Sequence, residues 1–402
     1  MNTPHRLHPC PTSMCLLAKA SATAVILLMC AGPASPQPRA LPARSDQLSA
    51  QAEEARLANR AEEAIELYRR ALVGRPGWAE GWAHLGSLLY GRDAYGEAAE
   101  AFGKSVSLDG SIGTTWVMLG LCEFRLGRTD DALAHIRRGR ELGTTPDPQF
   151  RQVMFYHEGL LLLDKSEFER AQETLALLSV EAAESEELLT ALGLSVLRIR
   201  LSDLPPGESS LRQLVRRAGR AEHLAAQKKN DEALREYERL KTDSPETRNV
   251  HYAVGRHYVA VREPAKALTA YQEELQRFPD HVPARLGIAA IKAETDPGAA
   301  LAYAEEAVRL NPRIPLGHYL LGTLLLHTQD TDRAIGELEL ARRAVPDDPR
   351  VYYALGRAYA RARRPEDAER ARATFKRLTD ERQRAARREP NEDAGQTGNT
   401  PP

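Results

Sequence analysis

Cysteine is scarce, with four among 402 residues. That is too few for a scaffold held by disulfides. Aromatic residues make up 6%, which leaves little material for a large aromatic-lined catalytic core. The formal net charge is -1, whereas nucleic-acid binding by a whole chain needs a basic surface. Nucleic acid is therefore not an expected partner. No apolar run reaches the ~20 residues that span a bilayer comfortably. There is no glycine-rich phosphate loop, no G-x-S-x-G and no CxxC. His157-Glu158 lacks a second histidine four residues after the first, so it is not a zinc-protease motif. The pair reads as partly exposed helix residues. Asp130-Asp131 and Asp347-Asp348 read as turns and helix starts, not as paired catalytic carboxylates. The chain thus reads as a non-enzyme with no cofactor, no metal and no small-molecule substrate.

Charged residues at 28% and hydrophobic ones at 42% fit an ordinary soluble protein. The N-terminus has a distinct order. Arg6 and Lys19 precede an apolar run from Ala20 to Ala31, and small residues Gly32, Ala34 and Ser35 follow. That is the layout of a secretory signal peptide, expected over 1–34. Met14 is an alternative start. A lipid anchor on Cys30 is the runner-up, although Met29 stands where a small residue is usual. A misread start, with no export, is the third reading. Residues 35–44 hold three prolines and read as a linker. Removal of the signal takes Cys10, Cys15 and Cys30 with it. Cys122 is then alone, inside a helical pattern, and expected to be buried.

The interior repeats. Trp82 and Trp116 lie 34 residues apart, with Leu85-Gly86 and Leu119-Gly120 at the same offset from each. Ala98 and Ala132 recur further on, and Phe102 follows Ala98. The first member keeps Ala64, Tyr68, Ala71 and Pro76. Later members supply Val254-Gly255, Tyr258, Ala267 and Tyr271, then Leu321-Gly322, Ala334 and Ala341, then Leu355-Gly356 and Tyr359. Each unit carries two stretches with apolar residues at helical spacing, split by a turn such as Leu126-Gly127-Arg128. Pro76, Pro245, Pro279, Pro312 and Pro346 end second helices, because proline cannot continue a helix interior. One helical hairpin cannot bury its apolar face alone, so stacking is required.

With these residues at these offsets, the chain resembles the tetratricopeptide repeat family, whose unit is a 34-residue helix–turn–helix. Ten units are expected, starting near 45, 79, 113, 152, 186, 214, 248, 281, 315 and 349. The array covers 45–386, and a disordered tail takes 387–402. The resemblance implies an all-α, right-handed superhelical solenoid that binds protein partners without catalysis. Three irregularities stand out. GTTPDPQF is inserted before the fourth unit. Leu204-Pro205-Pro206-Gly207 interrupts the second helix of the fifth, so 197–213 is irregular, with a longer loop and a bend. The eighth reads one residue short near Asp296-Pro297-Gly298.

The resemblance also implies a concave groove lined by first helices. In units two to four the groove positions are Glu80, Ala83, Ser87 and Tyr90, then Thr114, Val117, Leu121, Phe124 and Arg125, then Val153, Tyr156, Leu160, Leu163 and Asp164, a mostly apolar surface. In units seven to ten they include Tyr252, Arg256, Arg285, Lys292, Tyr319, His327, Tyr353, Arg357 and Arg361. No acid falls in that second set, which points to an acidic or carboxylate-bearing partner segment. From Arg357 to Arg388 there are twelve Arg/Lys against five Asp/Glu, a local charge of +7. A polar cap on the last repeat explains this. The sharper alternative is contact with an anionic surface, a membrane included. The overall expectation is a partner-binding scaffold of a bacterial cell envelope, or an accessory subunit of envelope assembly or polymer export.

Overall fold

The computed structural model describes residues 44–181 and 184–388. The expected signal peptide, the linker up to 43 and the tail from 389 lie outside the described residues. Among the described residues there are nineteen α-helices, one short 3-10 turn at Leu201–Asp203 and no strand. They form an all-α solenoid of helix–turn–helix units. The chain divides into two compact units, one ending at Lys228 and the other beginning at Lys229.

The first unit holds α1 (Arg44–Leu57), α2 (Ala61–Gly74), α3 (Ala79–Gly91), α4 (Tyr95–Leu108), α5 (Gly113–Arg125), α6 (Thr129–Leu142), α7 (Pro148–Asp164), α8 (Phe168–Glu181), α9 (Glu186–Leu197) and α10 (Ser210–Ala226). The second holds α11 (Asn230–Asp243), α12 (Val250–Ala260), α13 (Pro264–Arg277), α14 (Val282–Lys292), α15 (Pro297–Leu310), α16 (Pro315–His327), α17 (Thr331–Ala344), α18 (Pro349–Arg361) and α19 (Pro365–Arg388). α19 runs two residues past the expected end of the array. Within each unit, hairpins such as α3–α4 and α16–α17 pack internally, and each second helix then meets the next first helix.

The prolines that end second helices sit two residues beyond the last helical residue, as Pro76 after Gly74 and Pro346 after Ala344. Most turns from first to second helix place one residue in the left-handed region: Asn59, Asp93, Gly127, Ser166, Arg262, Gln329 and Arg363. Only Gly127 adopts it without a Cβ penalty. The turn between α14 and α15 differs and has no such residue among those described; there Asp296 caps α15 by accepting from the Ala299 N–H.

The tryptophan position of the repeat is a donor position. Trp82 Nε1–H donates to the Pro76 carbonyl at 2.9 Å, and Trp116 Nε1–H donates to that of Gly110 at 3.0 Å. His251 and His318 take the same place, with Nε2 at 3.0 Å from the Pro245 oxygen and 2.9 Å from the Pro312 oxygen. Tyr352 donates its hydroxyl to the Pro346 carbonyl at 2.8 Å. Each bond spans six residues and ties a first helix to the loop that follows the second helix before it.

The fifth unit departs further than its proline pair suggested. It has a first helix, α9, and no second α-helix of its own. The 3-10 turn and an irregular loop fill 198–209. α9 instead pairs directly with α10, the helix expected to open the sixth unit. Gly193 and Gly219 make this possible. A Cβ on Gly193 would lie 1.7 Å from the Val215 carbonyl oxygen, and one on Gly219 would lie 1.7 Å from that of Leu189. Any larger residue would force the two backbones apart.

In the second unit a core joins α14 to α19 through Ala289, Ala304, Leu324, Leu338, Ala341, Leu355 and Ala371. A second cluster ties α12, α13 and α14 through Tyr252, Ala267, Tyr271 and Ile288. Tyr303 of α15 packs against both. Alanine recurs because helices at this spacing leave no room for more.

Candidate functional site

The groove positions of the second unit do not share one environment. Tyr252 is 7% exposed, its ring 5.6 Å from Tyr271 and 5.1 Å from the His281 ring. It belongs to the core between α12, α13 and α14, and its expected role on an open face is corrected accordingly. Arg256 is half-buried, and its charge acts on Tyr271. Arg285 is half-buried, with Nη1 shielded from solvent and without a hydrogen bond among the described residues. Lys292 meets Asp296 at 3.3 Å, so an acid one turn on already answers its charge.

The exposed members, His327, Tyr353, Arg357 and Arg361, gather on α16 and α18. Tyr319 is half-buried beneath the Arg350 guanidinium, which sits 5.6 Å from the ring centroid. His327 is exposed. Tyr353 is 55% exposed and lies 5.6 Å from the Phe375 ring. Arg361 is exposed and donates Nη1–H to the Leu326 carbonyl of α16. Arg357 is exposed and has no acid partner among the described residues. On α18 the spacing 350, 353, 357 and 361 puts these side chains on one face. Val351, Ala354, Leu355 and Ala358 fill the adjoining, buried one. Asp348 caps this helix by accepting from the Arg350 N–H and pairs with its guanidinium at 2.7 Å. The ion pair holds the Asp348 carboxyl below its ordinary value against the effect of burial.

The apolar groove positions of the third and fourth units are covered. Val117, Leu121, Phe124, Val153, Tyr156, Leu160 and Leu163 are all buried. First helices pack on one another here: α5 meets α7, and the Phe124 ring stands edge-on to His157 at 4.9 Å. These positions are core, not a docking surface.

His157 and Glu158 are also buried, at 2% and 1% exposure, and not partly exposed as their helical setting suggested. α7 is covered on several sides at once. Burial drives the His157 imidazole down to about 4, so it is neutral, and Nδ1 lies 2.7 Å from the Val153 oxygen. Burial pushes the Glu158 carboxyl up, against the pull of Arg140 at 3.3 Å and Arg137 at 3.6 Å. No solvent-borne substrate can reach either group. Cys122 is a buried free thiol. Among the described residues, no group of His, Cys, Asp or Glu is arranged to hold a metal ion, and no helix is long and apolar enough to cross a membrane.

One polar cluster escaped the sequence reading. Glu274 of α13 is fully buried and accepts from the backbone N–H of Asn249 at 2.8 Å and of Tyr252 at 3.2 Å. It thereby caps the start of α12 from another helix. His281 accepts from the Ala284 N–H through Nδ1, which leaves Nε2–H to donate to Asn249 Oδ1 at 2.8 Å. Burial raises the Glu274 carboxyl above its ordinary value despite these donors. A signal was present: Glu274 stands where the repeat frame has Ala71 and Ala341.

A sequence profile for the tetratricopeptide repeat matches residues 87–145, 285–349 and 329–386. The matched stretches are tetratricopeptide repeats. The same hairpin frame continues through the TPR units that flank the matched stretches. Solved structures similar to this TPR chain include MamA of Desulfovibrio magneticus RS-1, at 18% identity over 43% of this chain and 96% of that one, with a TM-score of 0.37. A thermophilic TPR protein of Thermus thermophilus is 22% identical over 42% of this chain and 94% of that one, with a TM-score of 0.34. Yeast Tom70 is 14% identical over 83% of this chain and 69% of that one, with a TM-score of 0.36. Scores this low carry no argument about shape or partner. No curated protein sequence matches the chain. TPR arrays are typically protein-interaction scaffolds and generally non-catalytic.

Proposed function

We propose that this chain is a non-catalytic scaffold that holds a segment of a partner protein against the first helices of its second unit. The supporting observation is the exposed stripe of Arg350, Tyr353, Arg357 and Arg361 on α18, continued on α16 by His327. A face of arginine and tyrosine suits a carboxylate-bearing segment. Guanidinium forks donate to both oxygens of a carboxylate, and the ring adds contact area at little entropy cost. The signal-peptide layout supports a cell-envelope setting. Pull-down with the full chain from an envelope fraction tests the reading. Replacing Arg357 and Arg361 by alanine should strip the captured set, and unchanged capture would refute the charge argument.

A second reading has one specific support, the exposed Arg372 and Lys376 on α19. In it the basic end touches an anionic surface, as an accessory subunit of envelope assembly or polymer export would. Binding would then fall steeply with salt and need anionic lipid or polymer. Neutral and anionic vesicles separate the two readings directly.

A further inference from the structure

Each repeat in the second unit is covered at one end by the next first helix. Comparing the ninth repeat with the tenth, 34 residues on, shows what that cover hides. Leu338 is fully buried, while its counterpart Arg372 is exposed. Ala341 is fully buried, while Phe375 is half-buried. Thr323 is half-buried, while Arg357 is exposed. Tyr319 lies under Arg350, while Tyr353 is 55% exposed. In the ninth repeat, Leu338 reaches the Cβ position of Gly322. In the tenth, the Arg372 stem takes that place, its Cγ 3.3 Å from the Cβ position of Gly356. Arg372 therefore fills the apolar gap with its methylenes and carries its charge to the open end.

A polar cap explains the change from Leu338 to Arg372. It does not explain Tyr353, which stays 55% exposed beside the half-buried Phe375 ring at the same end. Nor does it explain why Arg357, Arg372 and Lys376 have no acid partner among the described residues. Aromatic rings beside arginines are the composition of binding hot spots.

We propose that this end face docks an acidic amphipathic helix of a partner protein, seated where a further first helix would stack. Two observations commit the occupant. The surface continues the stacking interface seen one repeat earlier, whose cover is an α-helix presenting Val351, Ala354, Leu355 and Ala358. Three cations with no acid partner among the described residues, on the same end face as an aromatic pair, call for carboxylates on the rim of that helix. The face shares Tyr353 and Arg357 with the groove of the proposed function. Arg372, Phe375 and Lys376 belong to it alone.

The test uses the full chain and a labelled fourteen-residue peptide of sequence 349–362, carrying Arg350→Glu, Arg357→Glu and Arg361→Glu, read by fluorescence anisotropy. Saturable binding is expected, weakening at least tenfold with Phe375→Ala or Arg372→Glu and falling as salt rises. Arg372→Met keeps the stem over Gly356 and should weaken binding with no change in melting. A chain carrying Arg285→Glu and Lys292→Glu should bind the peptide normally; those changes report on the groove instead. Absence of saturable binding overturns the proposal. So does equal binding of the peptide with its arginines restored, or equal sensitivity to the Arg285 and Lys292 changes. Concentration-dependent self-association abolished by Arg372→Glu would make the occupant a second copy, and the partner reading would fall.

Discussion

Glu274→Ala is the most informative single change in the repeat core. The carboxylate is fully buried and accepts two backbone N–H groups at the start of α12, at 2.8 and 3.2 Å. Removing it leaves both donors without an acceptor. An orphaned buried donor costs about 1–3 kcal/mol, so orphaning two should destabilise the second unit by roughly 2–6 kcal/mol. Glu274→Gln keeps one acceptor oxygen and should cost about half as much. A repeat array need not unfold in one step. Hydrogen exchange at the amides of α12 and α13 is therefore the assay, with urea unfolding as a second probe. The pH dependence has a definite sign. The Glu274 carboxyl is raised above its unfolded value, so its contribution is fully present below the ordinary carboxylate range and lost as pH rises through the raised value. Glu274→Gln should flatten that loss. A Glu274→Ala protein whose α12 amides exchange at the wild-type rate would refute the reasoning.

Glycine substitutions should divide sharply. Gly193→Ala or Gly219→Ala places a methyl 1.7 Å from a carbonyl oxygen and should cost roughly 3 kcal/mol or more in thermal or urea unfolding of the first unit. Gly103→Ala on α4 meets no atom within 4 Å and should stabilise by about 1 kcal/mol through helix propensity. Trp116→Phe keeps an aromatic ring and removes the donor to Gly110, so a loss of about 1 kcal/mol is expected in the same assay. Burial raises the Cys122 thiol well above its ordinary range, with Glu123 adding to the effect. A thiol reagent should leave Cys122 unmodified in the native protein and label it after denaturation.

Much of the fold was legible because period and chemistry coincided. Leu85-Gly86 and Leu119-Gly120 announced tight pairing of first and second helices, and Pro76 and Pro346 marked where second helices stop. Exposure was the weak point. Val117, Leu121 and Val153 occupy groove positions in the repeat frame, yet neighbouring first helices close over them. His157 and Glu158 read as surface residues because charge usually means solvent. Tyr252 reads as a binding residue until Tyr271 and His281 enclose it. A repeat frame tells which side of a helix a residue takes, not what lies opposite.

The sequence alone determined the helix–turn–helix unit, the approximate number of repeats and the place where the pattern breaks. These follow from local constraints: helical spacing, proline, and small residues at fixed offsets. Only the tertiary structure decided that α9 pairs with α10, since Gly193 and Gly219 are 26 residues apart and their fit shows only when the backbones meet. It also decided that Glu274 caps α12 and which arginines have no acid partner among the described residues. Burial and pairing are properties of surfaces brought together from distant parts of the chain, and no single stretch of sequence contains both sides.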